Sequence, residues 1–537
     1  MKIVLSILFG TVALAESFRV IPFDWSGQFG YINDGGAIFW NSDWRSNRLL
    51  FDGTWAIYPR MYGSEIEDGF KFDNSNTFNG KDSISIDSYF KYDQGDYLLD
   101  RFSFTVNYGM QERRAKLHAF KRTYAGSFNQ YSNASLQPQQ QSYLFTYESS
   151  KGRDDGGFSL GHFNTYSGFP DSTVASIIDS RITTSNIFWK RKGERLITIF
   201  MIDHFLQRYE TDHSLSFFSN SRYLTRSRYQ FEALFPIYDY DATLHFSNNI
   251  RSIKTNMLTI TQWNNCLLKF GKDHTNISLG LFHIEDQFYI EQNLNFGKTI
   301  GQITADINYN LDYRPVHPYF MIKTFEPPIE NSVLLKSVSG SLAINLSKSK
   351  ISSTLSHLID ENELWDLIKD DSLAYDASYG MIDFYYQTNI IPFLDVAMNY
   401  IVQKRERAGV YSGGIGKWFE LKFKSNFNLF NENMLIDLNG ELKHLRDRIA
   451  KSNLNPIEMV PNVNPKSYDG SLEPINIINA SITAQVSKFI ISYEWYNISE
   501  LVLGSIGSEK NNYFTIHPDM PDLGRQVNLS ITWLFQD

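Results

Sequence analysis

Apolar and polar residues alternate along most of the chain. In the segment 102–110, Phe-Ser-Phe-Thr-Val-Asn-Tyr-Gly-Met, every even position carries a large apolar side chain and every odd position a small or polar residue. The same period of two recurs at 303–313, 338–346, 419–429, 436–442, 478–486 and 527–535. Because successive side chains of a strand point to opposite faces, each segment predicts a strand with one apolar and one polar face.

The length of these segments indicates a membrane rather than a soluble sheet. They run to about nine to eleven residues, the length that a tilted strand needs to cross a bilayer. Strands of soluble sandwiches and propellers are nearer to about five or six residues. Beyond residue 15 the chain has no run of about 18 apolar residues, so a membrane-resident chain would have to span as a closed barrel.

The connections between the predicted strands alternate in length. Short links fall near 151–156, 191–194, 236–239, 347–349, 389–393, 431–433 and 487–488. Longer polar stretches lie between them, at 124–140, 167–179, 210–221, 360–373, 405–416, 447–474 and 497–523. The sequence therefore predicts an all-β fold, a transmembrane antiparallel β-barrel with short periplasmic turns and long extracellular loops.

Chain length and alternation together predict about 22 strands, an even number as closure favours. Segments around 23–32 and 48–58 could raise the count to 24. Aromatic residues make up 15% of a chain whose mean hydropathy is only −0.31. Barrels use such rings in girdles at the two membrane interfaces, and Trp189, Tyr313 and Tyr400 near strand ends suit that role.

The first fifteen residues have the pattern of a cleaved signal peptide. Met1 and Lys2 precede an apolar run that ends in Ala-Leu-Ala at 13–15, so we expect a mature chain that begins near Glu16. Export and a barrel together predict the outer membrane of a Gram-negative-type bacterium. We expect 83–537 to form the barrel and 16–82 to supply its first strands or to enter its lumen.

The search for reactive chemistry gives no candidate. The net charge is −9 and no basic stripe is present, so nucleic-acid binding is not expected. The 11 His are scattered, without a His-Glu-x-x-His motif or a spaced Cys/His set, and no Gly-x-Ser-x-Gly elbow occurs. We therefore expect no catalytic residue, no metal and no cofactor.

Charges on the polar strand faces are the candidates for a function in the lumen. They are Asp306, Asp312, Glu420, Lys422, Lys424, Asp437, Glu441 and Lys443. Charges that face a water-filled interior would set the preference for a solute. The alternative is that they form cross-strand ion pairs that only neutralise one another's charge within the barrel wall.

The C-terminal segment resembles a known family. Trp533 and Phe535 lie on the apolar face of the last strand, as in the terminal assembly signal of outer-membrane proteins. Before it stand Trp-Tyr-Asn-Ile-Ser at 495–499 and the segment 513–525, which ends in Pro-Asp-Leu-Gly-Arg. Together they resemble the end of TonB-dependent receptor barrels.

Two features depart from that family. Gln536 and Asp537 follow the final Phe, and no plug motif is apparent between 16 and 82. The resemblance therefore implies the barrel fold without carrying over energised uptake. It implies as partners the outer-membrane lipid and lipopolysaccharide, the barrel assembly machinery and a separate plug or energy-coupling protein.

Three functions follow as expectations. The first is an outer-membrane barrel of the TonB-dependent-receptor type that transports or binds a polar solute. The second is a passive diffusion porin, favoured by a strand count nearer to about 16 to 18. The third is a non-transport surface barrel, an adhesin or a barrel enzyme, which side chains filling the lumen would indicate.

Overall fold

The computed structural model describes the strands and most of the short turns of the chain. The described residues are 21–23, 30–32, 38–39, 88–110, 112–123, 139–168, 177–212, 221–254, 256, 258–272, 275–315, 332–361, 377–391, 393–407, 416–431, 433–449, 454–455, 460–461, 471–499 and 525–535. The predicted signal peptide, the segment 48–58 and the predicted barrel boundary at 83 lie outside them.

A single closed antiparallel barrel of 22 strands forms the body of the molecule, as the sequence predicted. In chain order its strands are β1 (Ser88–Gly95), β2 (Leu99–Met110), β3 (Arg113–Thr123), β4 (Gln139–Lys151), β5 (Asp154–Gly168), β6 (Ile177–Lys192), β7 (Ile197–Thr211), β8 (Ser221–Ile237), β9 (Tyr240–Lys254), β10 (Leu258–Lys272) and β11 (Thr275–Ile284). They continue as β12 (Gln287–Ile300), β13 (Ile303–Pro315), β14 (Ser332–Asn345), β15 (Ser349–Glu361), β16 (Ala377–Ile391), β17 (Leu394–Arg407), β18 (Lys417–Leu429), β19 (Met434–Arg446), β20 (Ile475–Val486), β21 (Phe489–Tyr496) and β22 (Gln526–Phe535).

Each barrel strand pairs with its neighbours in sequence, and the last strand closes on the first. In that seam Phe535 is the partner of Ser88, and Asn528 is the partner of Gly95. Closure removes the unpaired edges that a sheet in lipid could not satisfy. Among the described residues, none belongs to a helix long and apolar enough to cross a membrane.

Short strands outside the barrel form three small sheets. Ile21–Phe23, Gly30–Ile32 and Ile38–Phe39 pair as one three-stranded sheet. Arg448–Ile449 pairs with Ser471–Leu472, and Leu454–Asn455 pairs with Val460–Pro461. The described part of 23–32 is therefore not a barrel strand, and the wall has 22 strands rather than 24.

The two ends of the barrel differ as predicted. All seven predicted short links lie at one end, which we call the short-turn end and which holds the connections after β2, β4 and every later even-numbered strand to β20. The predicted long stretches lie at the other end, the long-connection end. Three connections at that second end, 96–98, 255–257 and 285–286, are short as well, so the asymmetry is not strict.

The apolar face of the strands points outward. Large exposed side chains alternate along neighbouring strands, for example Leu279 on β11, Ile290 on β12 and Ile307 on β13, each more than half exposed. Polar side chains hold the opposite face and include many of the buried groups, such as Asp203, Asn249 and Arg251. This is the arrangement of a membrane barrel, with an apolar outer face and a polar inner face.

The predicted strand length of about nine to eleven residues is wrong for most of the wall. The strands range from 8 residues in β1 to 17 in β8. The outward face also carries polar side chains between the apolar ones. Side chains there hydrogen-bond in pairs across strands: His162 with Thr183, His204 with Ser227, Asn264 with His283, and His444 with Asn476. The outward face is therefore not uniformly apolar along these strands.

Candidate functional site in the barrel wall

Four of the predicted lumen charges form one compact ion-pair network on β18 and β19. Glu420 and Lys443 are direct cross-strand partners, and so are Lys422 and Glu441. The ammonium Nζ of Lys443 lies 2.6 Å from Glu441 Oε2 and 3.7 Å from Glu420 Oε1. Nζ of Lys422 lies 3.1 Å from Glu420 Oε1 and 3.5 Å from Glu441 Oε1.

Burial is uneven across this network. The side chain of Lys443 is 5% exposed, whereas that of Lys422 is 52% exposed. Lys443 therefore lies against the wall, and Lys422 presents its charge to the space that the polar face borders. Each cation faces two carboxylates, so the four charges balance within the network.

The other predicted charges on these strands stand apart from it. Lys424 is exposed and lies opposite Asn439, and Asp437 lies opposite Asn426. Neither side chain forms an ion pair with any residue that the structure describes. The polar face of β18 and β19 therefore combines a closed network with two charges outside it.

Asp306 and Asp312 lie on a different part of the wall, on β13. The amide of Asn310 donates a hydrogen bond to Asp312 and accepts one of 3.1 Å from Asn293 on β12. Asp306 is the cross-strand partner of Gly297 and Ser341. The structure does not bring these two carboxylates to the network of β18 and β19.

Two buried polar networks were missed by the sequence analysis. On β6, β7 and β8, Asp203 accepts hydrogen bonds from Nε of Arg228 at 2.7 Å and from Nδ2 of Asn186 at 2.5 Å. At the closing seam, Asp93 accepts a 2.7 Å hydrogen bond from Nε of Arg101 and lies 3.4 Å from Nζ of Lys91. Both carboxylates are almost fully buried, so their cations offset a large desolvation cost.

An aromatic cluster interrupts the polar face of β10 to β13. Trp263, Phe282 and Ile284 are buried together, and Tyr289 and Tyr313 pack against them. The rings of Tyr289 and Tyr313 stack at 4.6 Å between centroids. The prediction that Tyr313 belongs to a membrane girdle is therefore wrong, because its ring packs on Tyr289 and Phe282, on the face opposite the lipid.

Charged groups border the aromatic cluster. The guanidinium carbon of Arg251 lies 5.4 Å from the centroid of the Trp263 ring, within the range of a cation–π contact. Glu291 accepts hydrogen bonds from the amide of Asn265, at 3.3 and 3.4 Å, and from the backbone N–H of Tyr313 at 3.3 Å. The cluster is thus an apolar patch held between a buried cation and a buried carboxyl group.

At the long-connection end, an exposed ion-pair group begins the connection 447–474. Asp447 Oδ2 lies 2.9 Å from Nζ of Lys417 and 3.4 Å from Nε of Arg446. The hydrogen bond from Lys417 is the largest cause that lowers the pKa of Asp447 below its ordinary value. This rim carboxylate stays charged throughout the neutral range.

No metal cluster is present among the described residues, since no group of three His, Cys, Asp or Glu is placed to hold an ion. Cys266 is free and exposed. The chemistry that the wall offers is therefore fixed charge, amide hydrogen bonding and aromatic contact.

No protein-family model matches the sequence, and no curated protein does either. Solved structures nevertheless match the fold. The ferric enterobactin receptor of Pseudomonas aeruginosa aligns with a TM-score of 0.65 at 8% identity, over 84% of this chain and 81% of the receptor. The FrpB iron transporter of Neisseria meningitidis gives 0.64 at 8% identity, over 85% and 82%.

A third structure, the alcaligin outer-membrane receptor FauA of Bordetella pertussis, aligns with a TM-score of 0.56 at 11% identity, over 85% of this chain and 76% of the receptor. At sequence identities this low, the matches rest on the course of the backbone, so they establish the fold alone. The resemblance to TonB-dependent receptor barrels, which rested on the C-terminal segment, is confirmed at that level. The chain has the barrel fold of the outer-membrane siderophore and iron receptors.

Proposed function

We propose that this chain is an outer-membrane barrel that binds a polar solute in its interior and passes it across the membrane. The observation that carries the proposal is the closed wall of 22 strands with a charged and amide-bearing inner face. A barrel of about 22 strands is too wide for its own wall side chains to fill, so it encloses a channel or a plug. The outward apolar face suits the outer membrane, with the short-turn end toward the periplasm.

The strand count argues against the porin alternative. That alternative needs about 16 to 18 strands and a constricting loop, whereas the wall has 22. The third alternative, a surface barrel with a packed interior, gains no support from the wall itself. Its inner face carries buried salt bridges and an aromatic cluster on different strands. Among the described residues, these groups do not come together as a set of reactive side chains.

The cargo is proposed from chemistry and from analogy. The similar structures are named for siderophores and iron, and a ferric siderophore is a polar, often charged chelate. An inner wall with an exposed cation at Lys422 and Lys424 and carboxylates at Asp306 and Asp312 could contact such a chelate through either sign of charge. A ferric siderophore is therefore the first cargo to test, and other polar solutes follow.

The way the lumen is closed is part of the proposal. Among the described residues, the strands before Ser88 pair only with one another and outside the wall. We propose that the segment 16–82 enters the lumen or meets a separate plug or energy-coupling protein. Trp533 and Phe535 lie at the short-turn end of β22, where the barrel assembly machinery would contact them. We propose no catalytic activity for this barrel.

Liposome uptake tests the transport role directly. The full chain, and a variant that lacks residues 16–82, are inserted into vesicles and offered labelled ferric siderophores and neutral sugars. We expect binding by the full chain and faster entry through the shortened chain. Equal impermeability of both vesicles, with no binding of any solute, would exclude transport through the interior.

A further inference from the structure

An open groove lies on the outward face of the barrel, near the short-turn end of β4, β5 and β6. Its volume is about 510 Å³. Tyr147, Phe158, Ile187 and Trp189 form its apolar walls. Ile187 and Trp189 are 60% and 44% exposed, so these side chains meet whatever surrounds the barrel.

Gly156 creates the groove. It lies on β5 between its cross-strand partners Ser149 and Trp189, where an outward side chain would otherwise stand. A Cβ at this position would meet only the backbone oxygen of Phe188, at 3.5 Å, which is an ordinary contact. The local backbone therefore allows a side chain, and glycine leaves the space open.

The floor of the groove is closely packed from the other side. A Cβ at Gly157, the next residue, would lie 2.5 Å from the backbone oxygen of Tyr147 and 2.6 Å from Cε1 of Phe188. The buried ring of Phe188 thus presses against the wall behind the groove. The strand that forms the floor of the groove is therefore packed closely against its neighbours at Gly157.

Cations lie at the lower edge of the groove, next to the turns. Lys151 lines it, and the side chain of Arg191 is 62% exposed, with Nε 4.0 Å from Asp154 Oδ1. Arg153 in the adjacent turn lies 3.4 Å from Glu194. The carboxylate of Asp155, which also lines the groove, is held by Lys192 at 2.7 Å and by Ser150 at 2.5 Å. The groove therefore has aromatic walls and is bordered next to the turns by Lys151 and Arg191, whose two positive charges exceed the single negative charge of Asp154, which also lines it.

We propose that this groove binds one anionic phospholipid from the membrane leaflet at the short-turn end. An acyl chain would lie over Gly156 between Phe158 and Trp189, and the headgroup phosphate would contact Lys151 and Arg191. The outward apolar face places the groove in lipid, and strand ends lie at the depth of the headgroups. Cations at that depth attract anionic lipid. The groove continues the lipid-facing surface. Its apolar part and its charged edge follow each other as the acyl chain and the headgroup of a phospholipid do, an arrangement that a folded protein partner would not require.

Native mass spectrometry of the full chain tests this binding. The protein is released from bilayers that contain equal amounts of phosphatidylglycerol and phosphatidylethanolamine, and the retained lipid is identified. We expect about one phosphatidylglycerol per chain. Gly156→Leu should reduce retention about tenfold, which corresponds to about 1.4 kcal/mol. Ser149→Leu fills the same space from the neighbouring strand and should have the same effect.

Gly340→Leu is the matched control, because Gly340 lies on the outward face of β14 with no atom within 4 Å of its Cβ position. It should retain as much lipid as the wild type. The double variant Lys151→Gln/Arg191→Gln should still retain lipid, but it should retain phosphatidylglycerol and phosphatidylethanolamine in equal amounts.

Three results would overturn the proposal. They are equal lipid retention by the Gly156 and Gly340 variants, no preference of the wild type for the anionic lipid, and a dimer that Gly156→Leu abolishes, since a second copy would then cover the groove. Lipid retention is measured without transport, so its failure leaves the proposed function untouched.

Discussion

Nζ of Lys443 lies 2.6 Å from Oε2 of Glu441, two residues away on the same strand, and the lysine side chain is only 5% exposed. A buried ammonium is tolerated because carboxylates flank it, here Glu441 and its cross-strand partner Glu420. Removing the cation leaves two carboxylates close together in the wall.

We therefore predict that Lys443→Met lowers the free energy of unfolding by about 3–5 kcal/mol, the usual cost of breaking a buried ion pair from one side. Urea unfolding in lipid vesicles measures it. Lys424→Met, on the same face but exposed and outside the network, should change stability by less than about 0.5 kcal/mol. If the two variants unfold at the same urea concentration, Lys443 does not hold the network together.

The closing seam depends on a glycine. A Cβ at Gly95 would lie 2.2 Å from Asn528 Oδ1 and 2.6 Å from the backbone oxygen of Val527. We predict that Gly95→Ala destabilises the barrel by about 1–3 kcal/mol through overpacking. Gly109→Ala, where the nearest atom is 3.9 Å away, is the control. Heat-dependent gel mobility should show an earlier loss of the folded band for Gly95→Ala alone, and unchanged mobility would mean that the seam can widen.

The aromatic cluster should contribute to stability from the inner face. Trp263 is 4% exposed, whereas Ile260, three residues earlier on β10, is 61% exposed and faces lipid. Trp263→Ala should cost about 3–5 kcal/mol, as for a buried aromatic residue, and Ile260→Ala much less. Comparable losses in thermal unfolding would show that the cluster is no more tightly packed than the lipid-facing surface.

Opposite faces of the wall should differ in their effect on ions. Lys424 lies on the polar face, whereas Lys298 lies on the outward face between the exposed Phe296 and Ile300. Lys424→Gln removes a cation from the interior, so the reversal potential in a salt gradient should shift toward greater cation selectivity. Lys298→Gln should leave it unchanged. An equal shift in both variants would place Lys424 outside the conduction path.

The architecture could be predicted because a membrane barrel imposes simple patterns on its sequence. Period two and alternating connection lengths follow from the tilted, closed wall, and both were readable in segments such as 102–110 and 419–429. The cross-strand pairing of Glu420 with Lys443 was among the predicted possibilities, since both lie on polar faces of consecutive strands. The distances within this pair depend on the pairing register of the two strands, which the sequence of either strand alone does not specify.

The missed networks have a physical reason. Around Asp203, β7 reads Ile-Phe-Met-Ile-Asp-His-Phe-Leu over 199–206, with apolar residues on both faces, so no alternation marks the buried carboxylate. Trp263, Phe282 and Tyr289 occupy inner positions where the pattern predicts polar residues. Their contact depends on three strands meeting in one register, a relationship that single strands cannot reveal.

Single-channel recording in planar bilayers tests the central claim, that the interior of the 22-strand wall is a path for polar solutes. The chain lacking residues 16–82 should give large, discrete conductance steps, because the wall alone encloses a wide lumen. The full chain should give smaller or transient steps if that segment enters the lumen. Folded barrels that conduct no ions with or without residues 16–82 would contradict the account.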